Sequence, residues 1–112
     1  MKYRVFRATG TGAAPGGNID ETLAPGVAFQ IEEIRLHLSG DGGANNFTVT
    51  LDSDAHAAAY DTLLVSQNTN GMTDFVYQPD RPHMFSAGDA LDFAWTNGNA
   101  ETWGLEVYYS AI

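Results

Sequence analysis

The sequence predicts an all-β fold, a single-domain antiparallel β-sandwich of jelly-roll type with roughly eight short strands. Apolar residues recur at every second position in several short segments, which is the period of a half-buried strand. Most of the 12 glycines fall in clusters between those segments. Turn signals return about every 8–12 residues, as in sandwiches and jelly rolls. A length of 112 residues fits one domain, 1–112, with one core.

The last quarter of the chain carries the clearest strand pattern. Leu91, Phe93 and Trp95 alternate with polar or small residues, Asn97-Gly98-Asn99 breaks the chain, and a second alternating run begins at Trp103. Apolar residues two apart on both sides of a turn indicate two antiparallel strands with one apolar face each. Together with the alternating segment 47–51, they predict the core. The predicted core residues are Val49, Leu51, Leu91, Phe93, Trp95, Trp103, Leu105 and Val107.

The remaining elements follow from shorter patterns. Strands are expected over residues 3–8, 19–23, 27–39, 47–51 and 73–77, with Met84-Phe85 leading into the last hairpin. Residues 9–18 are rich in Gly, Ala and Pro, which predicts a flexible loop. Residues 54–62 hold at most one short helix, which Ser53 or Asp54 would cap, although residues 62–65 also fit a strand.

The long central strand contains a switch of side-chain parity. Phe29 and Ile31 share one parity, whereas Ile34 and the apolar residues after it share the other. One extra residue in a strand re-aims all later side chains, so the switch predicts a β-bulge at residues 32–33. The side chain of Arg35 is then expected on the solvent-facing side of the sheet.

Charge is distributed unevenly along the chain. The net charge is −9, yet residues 1–7 hold three of the five basic residues and no acid, while residues 8–112 hold two basic residues and 14 acids, a net −12. An acidic body is repelled by phosphate backbones, so no nucleic-acid partner is expected. The basic segment 1–7 fits either an edge strand whose charges prevent pairing with other strands or a strand that docks on an acidic neighbour. The candidate partner-contact residues are Lys2, Tyr3, Arg4, Phe6, Arg7 and, on the polar face of the last strand, Tyr108.

The composition also indicates in which cellular compartment the protein is made. The chain has no cysteine, which excludes disulfides and thiolate metal ligands. The first residues lack the apolar run of a secretory signal, and no run approaches the ~18 apolar residues of a membrane helix. We therefore expect synthesis in a cytoplasm and no membrane partner.

No complete catalytic or metal-binding constellation is present, so we expect no enzyme activity, no metal and no cofactor. His37, His56 and His83 lie in separate segments without paired ligand spacing. Residues 52–54, with Asp61 beyond, have the Asp-x-Asp spacing of a calcium loop. The glycine and glutamate that an EF-hand requires are missing.

Aromatic residues near the C-terminus leave an alternative function open. Trp95, Trp103, Tyr108 and Tyr109 would form a platform for a sugar ring if they were exposed. Alternation places Trp103 and Tyr109 on the apolar face and Tyr108 on the opposite face with Glu106. An exposed pair of coplanar rings would favour a carbohydrate-binding module, whereas burial would favour core packing.

Two stretches of the sequence resemble small virion proteins of tailed bacteriophages. The first contains Phe-Thr-Val-Thr-Leu-Asp-Ser at 47–53 and continues through Tyr60-Asp61, Ser66-Gln67 and Thr73-Asp74. The second contains Ala87-Gly88-Asp89, Phe-Ala-Trp-Thr-Asn at 93–97 and Thr-Trp-Gly-Leu-Glu-Val at 102–107. The resemblance covers roughly residues 27–110. It implies a jelly-roll or similar sandwich that decorates a capsid or sits in a head or tail appendage, and it brings no catalytic residues.

The resemblance implies a non-enzymatic structural protein of a phage virion, most specifically a capsid decoration or cement protein. The expected partners are the major capsid protein or another virion protein, and further copies of the chain, with a trimer favoured. A tail or fibre adaptor is the alternative within this class. The expected location is the virion, after synthesis in the host cytoplasm.

Overall fold

The computed structural model describes residues 2–112, which contain nine β-strands in two antiparallel sheets. The sheets pack face to face, which confirms the predicted all-β sandwich. The strands are β1 (Lys2–Gly10), β2 (Ile19–Leu23), β3 (Phe29–Leu38), β4 (Asn46–Asp52), β5 (Thr62–Asn68), β6 (Asp74–Tyr77), β7 (His83–Phe85), β8 (Ala90–Trp95) and β9 (Trp103–Ala111).

The strands pair in jelly-roll order. The five-stranded sheet has the order β1-β9-β3-β6, with β7 also paired to β3, and the four-stranded sheet has the order β2-β8-β4-β5. β6 and β7 pair with successive parts of β3, so together they replace one strand of an eight-stranded jelly roll. Pro79 and Pro82 lie between them, and proline cannot donate to a sheet ladder. The interruption explains why nine strands form where roughly eight were predicted.

The core lies between the two sheets. Seven of the eight predicted core residues are buried: Val49, Leu91, Phe93, Trp95, Trp103, Leu105 and Val107. Leu51 packs against this cluster but stays half-buried. It lies near the end of β4, beyond a register shift that follows Val49 in the pairing with β5.

The predicted bulge in the central strand is confirmed. The register between β3 and β9 shifts between Ile31 and Glu33, so Glu32 is the extra residue. Its carboxylate accepts a hydrogen bond from the Ser110 hydroxyl at 2.9 Å. Beyond the bulge, Arg35 is exposed, as the parity switch predicts.

The loop before β2 is shorter than predicted, and hydrogen bonds hold its C-terminal end in place. Thr9 and Gly10 belong to β1, so the predicted loop over 9–18 is corrected to residues 11–18. The buried Gly17 carbonyl accepts hydrogen bonds from the side chains of Trp103 at 2.8 Å and Asn97 at 3.1 Å. A Cβ at position 17 would lie 1.9 Å from a backbone oxygen of the same loop, so this close turn requires glycine.

Within residues 54–62, where at most one short helix was predicted, the structure has a three-residue 3-10 helix, Ala58–Tyr60. No side chain caps it, so the predicted capping by Ser53 or Asp54 is wrong. The Ser53 N–H instead donates to the Asp61 carboxylate at 2.7 Å. From Thr62 the chain pairs with β4, because ladder hydrogen bonds outweigh a helix too short to be stable alone. None of the described residues forms a helix with the length and apolarity that a membrane crossing needs.

Candidate interaction surfaces

The basic N-terminal segment is the outer strand of the domain's own sheet. β1 pairs with β9 along its whole length, from Lys2 opposite Ala111 to Gly10 opposite Trp103. No described strand pairs with the other edge of β1. The Phe6 ring stacks on the core ring of Phe93, with 6.3 Å between centroids. The segment is therefore an edge strand, and its unpaired edge carries charge, a common guard against edge-to-edge association.

β1 also presents apolar side chains to solvent. Tyr3 is 75% exposed and Val5 is 39% exposed. Lys2 and Arg4 are exposed and take part in none of the ion pairs found among the described residues. Arg7 donates to the Glu106 carboxylate at 2.7 Å, and this hydrogen bond lowers the pKa of Glu106. Among residues 2–112, the charges of Lys2 and Arg4 are thus left without a compensating ion pair.

Tyr108, the remaining candidate contact, lies in a polar ladder across the outer face of the five-stranded sheet. The Arg35 guanidinium sits 4.6 Å from the Tyr108 ring centroid and donates to its hydroxyl at 3.2 Å. Arg35 also pairs with Glu33, whose pKa is lowered first by a hydrogen bond from Gln78 and then by Arg35. Tyr108 is half-buried beneath this network, so its ring face is already occupied.

A depression of about 590 Å³ adjoins this ladder. Its floor includes Gly104, where an added Cβ would meet no atom within 4 Å, so the missing side chain creates the space. At its rim, His37 Nδ1 and an Asp74 carboxylate oxygen are 2.6 Å apart, and His37 lowers the pKa of Asp74. Val76, 57% exposed, forms an apolar wall. The depression is open enough to receive a side chain of a partner.

The four-stranded sheet has a contrasting outer surface, which we call the acidic face. The Thr22 hydroxyl donates to Asp92 at 2.8 Å, and Thr50 lies opposite both Asp92 and Leu63. At one end of this surface the pKa of Asp52 is raised, first by the neighbouring Asp54 carboxylate, then by burial and by the Asp61 carboxylate. The acidic face comprises Asp20, Thr22, Thr48, Thr50, Asp52, Leu63 and Asp92.

The two tryptophans are core residues. Trp95 is 3% exposed and Trp103 is 4% exposed. The indole N–H of Trp95 donates to the Thr69 hydroxyl at 3.0 Å, and that of Trp103 to the Gly17 carbonyl at 2.8 Å. Tyr109 is also buried. These residues therefore form no exposed platform.

Other polar groups do not assemble into a recognisable chemical site. His56 Nε2 and the Ser86 hydroxyl are 3.3 Å apart, but the nearby Asp89 carboxylate accepts hydrogen bonds from the backbone N–H groups of Ala55 and Ser86 and does not orient the histidine. Within residues 2–112, no group of three His, Asp or Glu side chains has a metal-binding arrangement.

Comparisons with known proteins show the fold but no family. No protein-family model and no curated protein matches the sequence. Among solved structures, the chain resembles NLP-core of Drosophila, a structure reported to provide insight into pentamer formation and histone binding. The TM-score is 0.51 at 10% identity, covering 96% of this chain and 95% of that one. A chain of infectious bursal disease virus, Gx strain, gives a TM-score of 0.38 at 12% identity, covering 98% of this chain and 32% of that one. At 10% identity the likeness to the Drosophila structure concerns the fold alone.

The sequence pattern identified the basic strand but missed the acidic face and the Gly104 depression. Asp20, Asp92 and Asp52 each alternate with buried residues, which signals an outward position. Their convergence depends on the strand order β2-β8-β4, which local patterns do not contain.

Proposed function

We propose that this protein is a non-enzymatic structural component of a tailed-bacteriophage virion, most specifically a capsid decoration or cement protein. The observation that carries the proposal is the unpaired edge of β1, where exposed Tyr3 and Val5 alternate with Lys2 and Arg4. Such an edge offers backbone groups for strand addition, apolar side chains for affinity and charge for register.

The sandwich behind this edge supports a role as a rigid platform. Every buried side-chain nitrogen and oxygen among the described residues has a hydrogen-bond partner. A fully satisfied core favours one well-ordered structure. Many copies of a rigid domain on one particle gain avidity from simultaneous contacts, so each contact can be individually weak.

Protein contacts are favoured over sugar binding because the candidate sugar platform is occupied. Trp95 and Trp103 are buried, and Arg35 covers the ring of Tyr108. The exposed aromatic side chains, Tyr3 and Tyr60, lie on different elements, β1 and the 3-10 helix.

The copy number in purified particles tests the proposal. Particles of the virus that encodes this chain should contain it after gradient purification, in a fixed ratio to the major capsid protein. A ratio of only a few copies per tail would indicate the tail or fibre adaptor instead. Absence of the chain from intact, infectious particles would contradict both roles.

Point substitutions suit the binding test better than removal of the strand, because loss of β1 would bare Phe93 and the edge of β9. We expect Lys2→Ala with Arg4→Ala to weaken particle binding in a salt-dependent manner. Arg81→Ala, which removes an exposed charge between β6 and β7, is the matched control and should bind like wild type.

A further inference from the structure

Gly104 is a glycine that no contact among the described residues requires. It lies in β9, opposite Thr9 of β1 on one side and His37 of β3 on the other, and the register around it is unbroken on both sides. Its φ is not positive, and an added Cβ would meet no atom within 4 Å. Glycine weakens a strand, because it adds backbone freedom to the unfolded chain and packs no side chain. A reason for glycine at this position therefore lies outside the domain's own packing.

Glycine in a regularly paired strand often marks a place where a ligand or another chain comes close to the backbone. The depression of about 590 Å³ opens at this point, and the exposed Val76 forms part of its wall. Pockets that bind ligands have volumes of roughly 300–1,000 Å³ and combine apolar walls with a few polar groups. The Gly104 depression has both features, since Thr9 and His37 also line it.

Charged groups at the rim of the Gly104 depression already have partners. Two Arg–Glu ion pairs and one histidine–carboxylate pair are found among residues 2–112, and each has at least one member in the lining. They are Arg7–Glu106, at 2.7 Å, Arg35–Glu33, and His37–Asp74, at 2.6 Å. A charged guest would compete with these partners, whereas an uncharged guest leaves all three pairs intact. The depression therefore favours an uncharged group.

The same rim supplies a hydrogen-bond acceptor and a cation. An ionised Asp74 carboxylate can only accept, so Nδ1 of His37 donates to it, and in the neutral imidazole Nε2 is left as an acceptor for a hydroxyl group. The Arg7 guanidinium lines the depression. Guanidinium groups favour the faces of aromatic rings, as Arg35 shows at 4.6 Å from the Tyr108 ring centroid. An aromatic ring with a hydroxyl group can make both contacts, and the side chain with this chemistry is tyrosine.

We propose that the Gly104 depression receives a tyrosine side chain of the virion protein on which this chain docks. The identity of that partner rests on the proposed function. Val5 lies opposite Tyr108 and Thr9 lies opposite Gly104, so the exposed side chains of Tyr3 and Val5 point to the same side of the sheet as the depression. One partner can therefore contact both, and the free edge of β1 stays available for its backbone.

Filling the depression tests the proposal on particles. Gly104→Val should weaken binding to particles that lack the chain by about tenfold or more, as the loss of an interface hot spot does. The melting temperature should stay the same or rise, because valine favours strands and has room here. Gly16→Val is the matched control, since Gly16 is exposed, does not line the depression, and has no atom nearer than 4.0 Å to an added Cβ. The control should bind like wild type.

A small probe tests the depression without any particle. Titration with p-cresol, which is the tyrosine side chain without its backbone, should give saturable NMR shifts of the amide signals of Gly104, His37 and Val76. Gly104→Val should abolish these shifts. Toluene, which has the same ring without the hydroxyl group, should bind more weakly.

Several results would overturn the proposal. They are particle binding by Gly104→Val at the wild-type level, which would leave the virion role standing, and p-cresol shifts that are absent or unchanged in the variant. A lower melting temperature of Gly104→Val would show that the strand itself needs the glycine. A change of mass in light scattering would place a second copy in the depression. Absence of the chain from particles would remove the partner named here, whereas p-cresol would still test the depression.

Discussion

Asn97 organises the turn that leads into β9. Its side-chain amide donates to the carbonyls of Gly17 and Glu101, at 3.1 and 2.7 Å, and its Oδ1 accepts from the Glu101 N–H at 2.8 Å. Asn97 is fully buried, and without its side chain the Glu101 N–H and carbonyl would each lose a hydrogen-bond partner, whereas the Gly17 carbonyl would keep the one from Trp103. One side chain thereby joins the loop before β2 to the β8–β9 turn.

Asn97→Ala should therefore lower the free energy of unfolding by about 1–3 kcal/mol, because buried carbonyl and N–H groups lose a partner. Chemical denaturation measures the change. Asn70→Ala is the control, since Asn70 is exposed and its own side chain has no hydrogen bond to lose. An equal effect of the two substitutions would contradict the assigned hydrogen bonds.

Asp41 links two turns through one carboxylate oxygen, which accepts from the N–H groups of Gly43 and Gly71, each at 2.8 Å. These hydrogen bonds, that of Gly43 first, lower the pKa of Asp41 from 3.8. A group whose pKa is lowered by folding stabilises the fold above its unfolded pKa and loses that contribution as the pH falls through its folded pKa.

We predict that the stability difference between wild type and Asp41→Ala is largest at neutral pH and shrinks below pH 3.8. Denaturation curves at a series of pH values measure it. A difference that stays constant from neutral to strongly acidic pH would show that the ionised carboxylate is not the stabilising group.

At the scale of elements, β8 is one of the two inner strands of the four-stranded sheet, between β2 and β4. Phe93 is 1% exposed, and its ring stacks between those of Phe6 and Phe47, with centroids 6.3 and 6.5 Å away. It therefore joins β1, β4 and β8 across the two sheets.

Phe93→Ala should cost about 3–5 kcal/mol, since a buried ring is lost and a cavity remains. Leu63→Ala, on an exposed side chain of β5, should change stability by no more than about 0.5 kcal/mol. Thermal or chemical unfolding of both variants gives the comparison. A small effect at Phe93 would mean that the register of β8 is wrong.

The elements also show what the sequence could predict. The period of two located the core of β4, β8 and β9, and the parity switch located the bulge at Glu32, because both are local consequences of side-chain alternation. The length of the helix predicted within 54–62 was overestimated, because Thr62 pairs with β4 and a local sequence pattern does not contain that non-local pairing. The partner of β1 and the convergence of Asp20, Asp52 and Asp92 were equally hidden, since strand order is a property of the whole chain.

At the scale of the whole molecule, a jelly roll separates its two outer faces by a thin apolar core. The charge on one face therefore need not balance the charge on the other. Here the strands of the five-stranded sheet carry four basic and four acidic residues, whereas those of the other sheet carry four acidic residues and no basic one, which suits a domain that contacts neighbours on two sides. The uneven charge visible in the first seven residues is the sequence signature of this arrangement.

The most direct test of the proposed structural role is the heat stability of particles with and without the chain. Particles assembled without it should release their genome at a lower temperature, and adding purified wild-type protein should restore the original value. Protein with Lys2→Ala and Arg4→Ala should restore it only at higher concentration. Particles whose stability is the same with and without the chain would contradict the role as a cement protein.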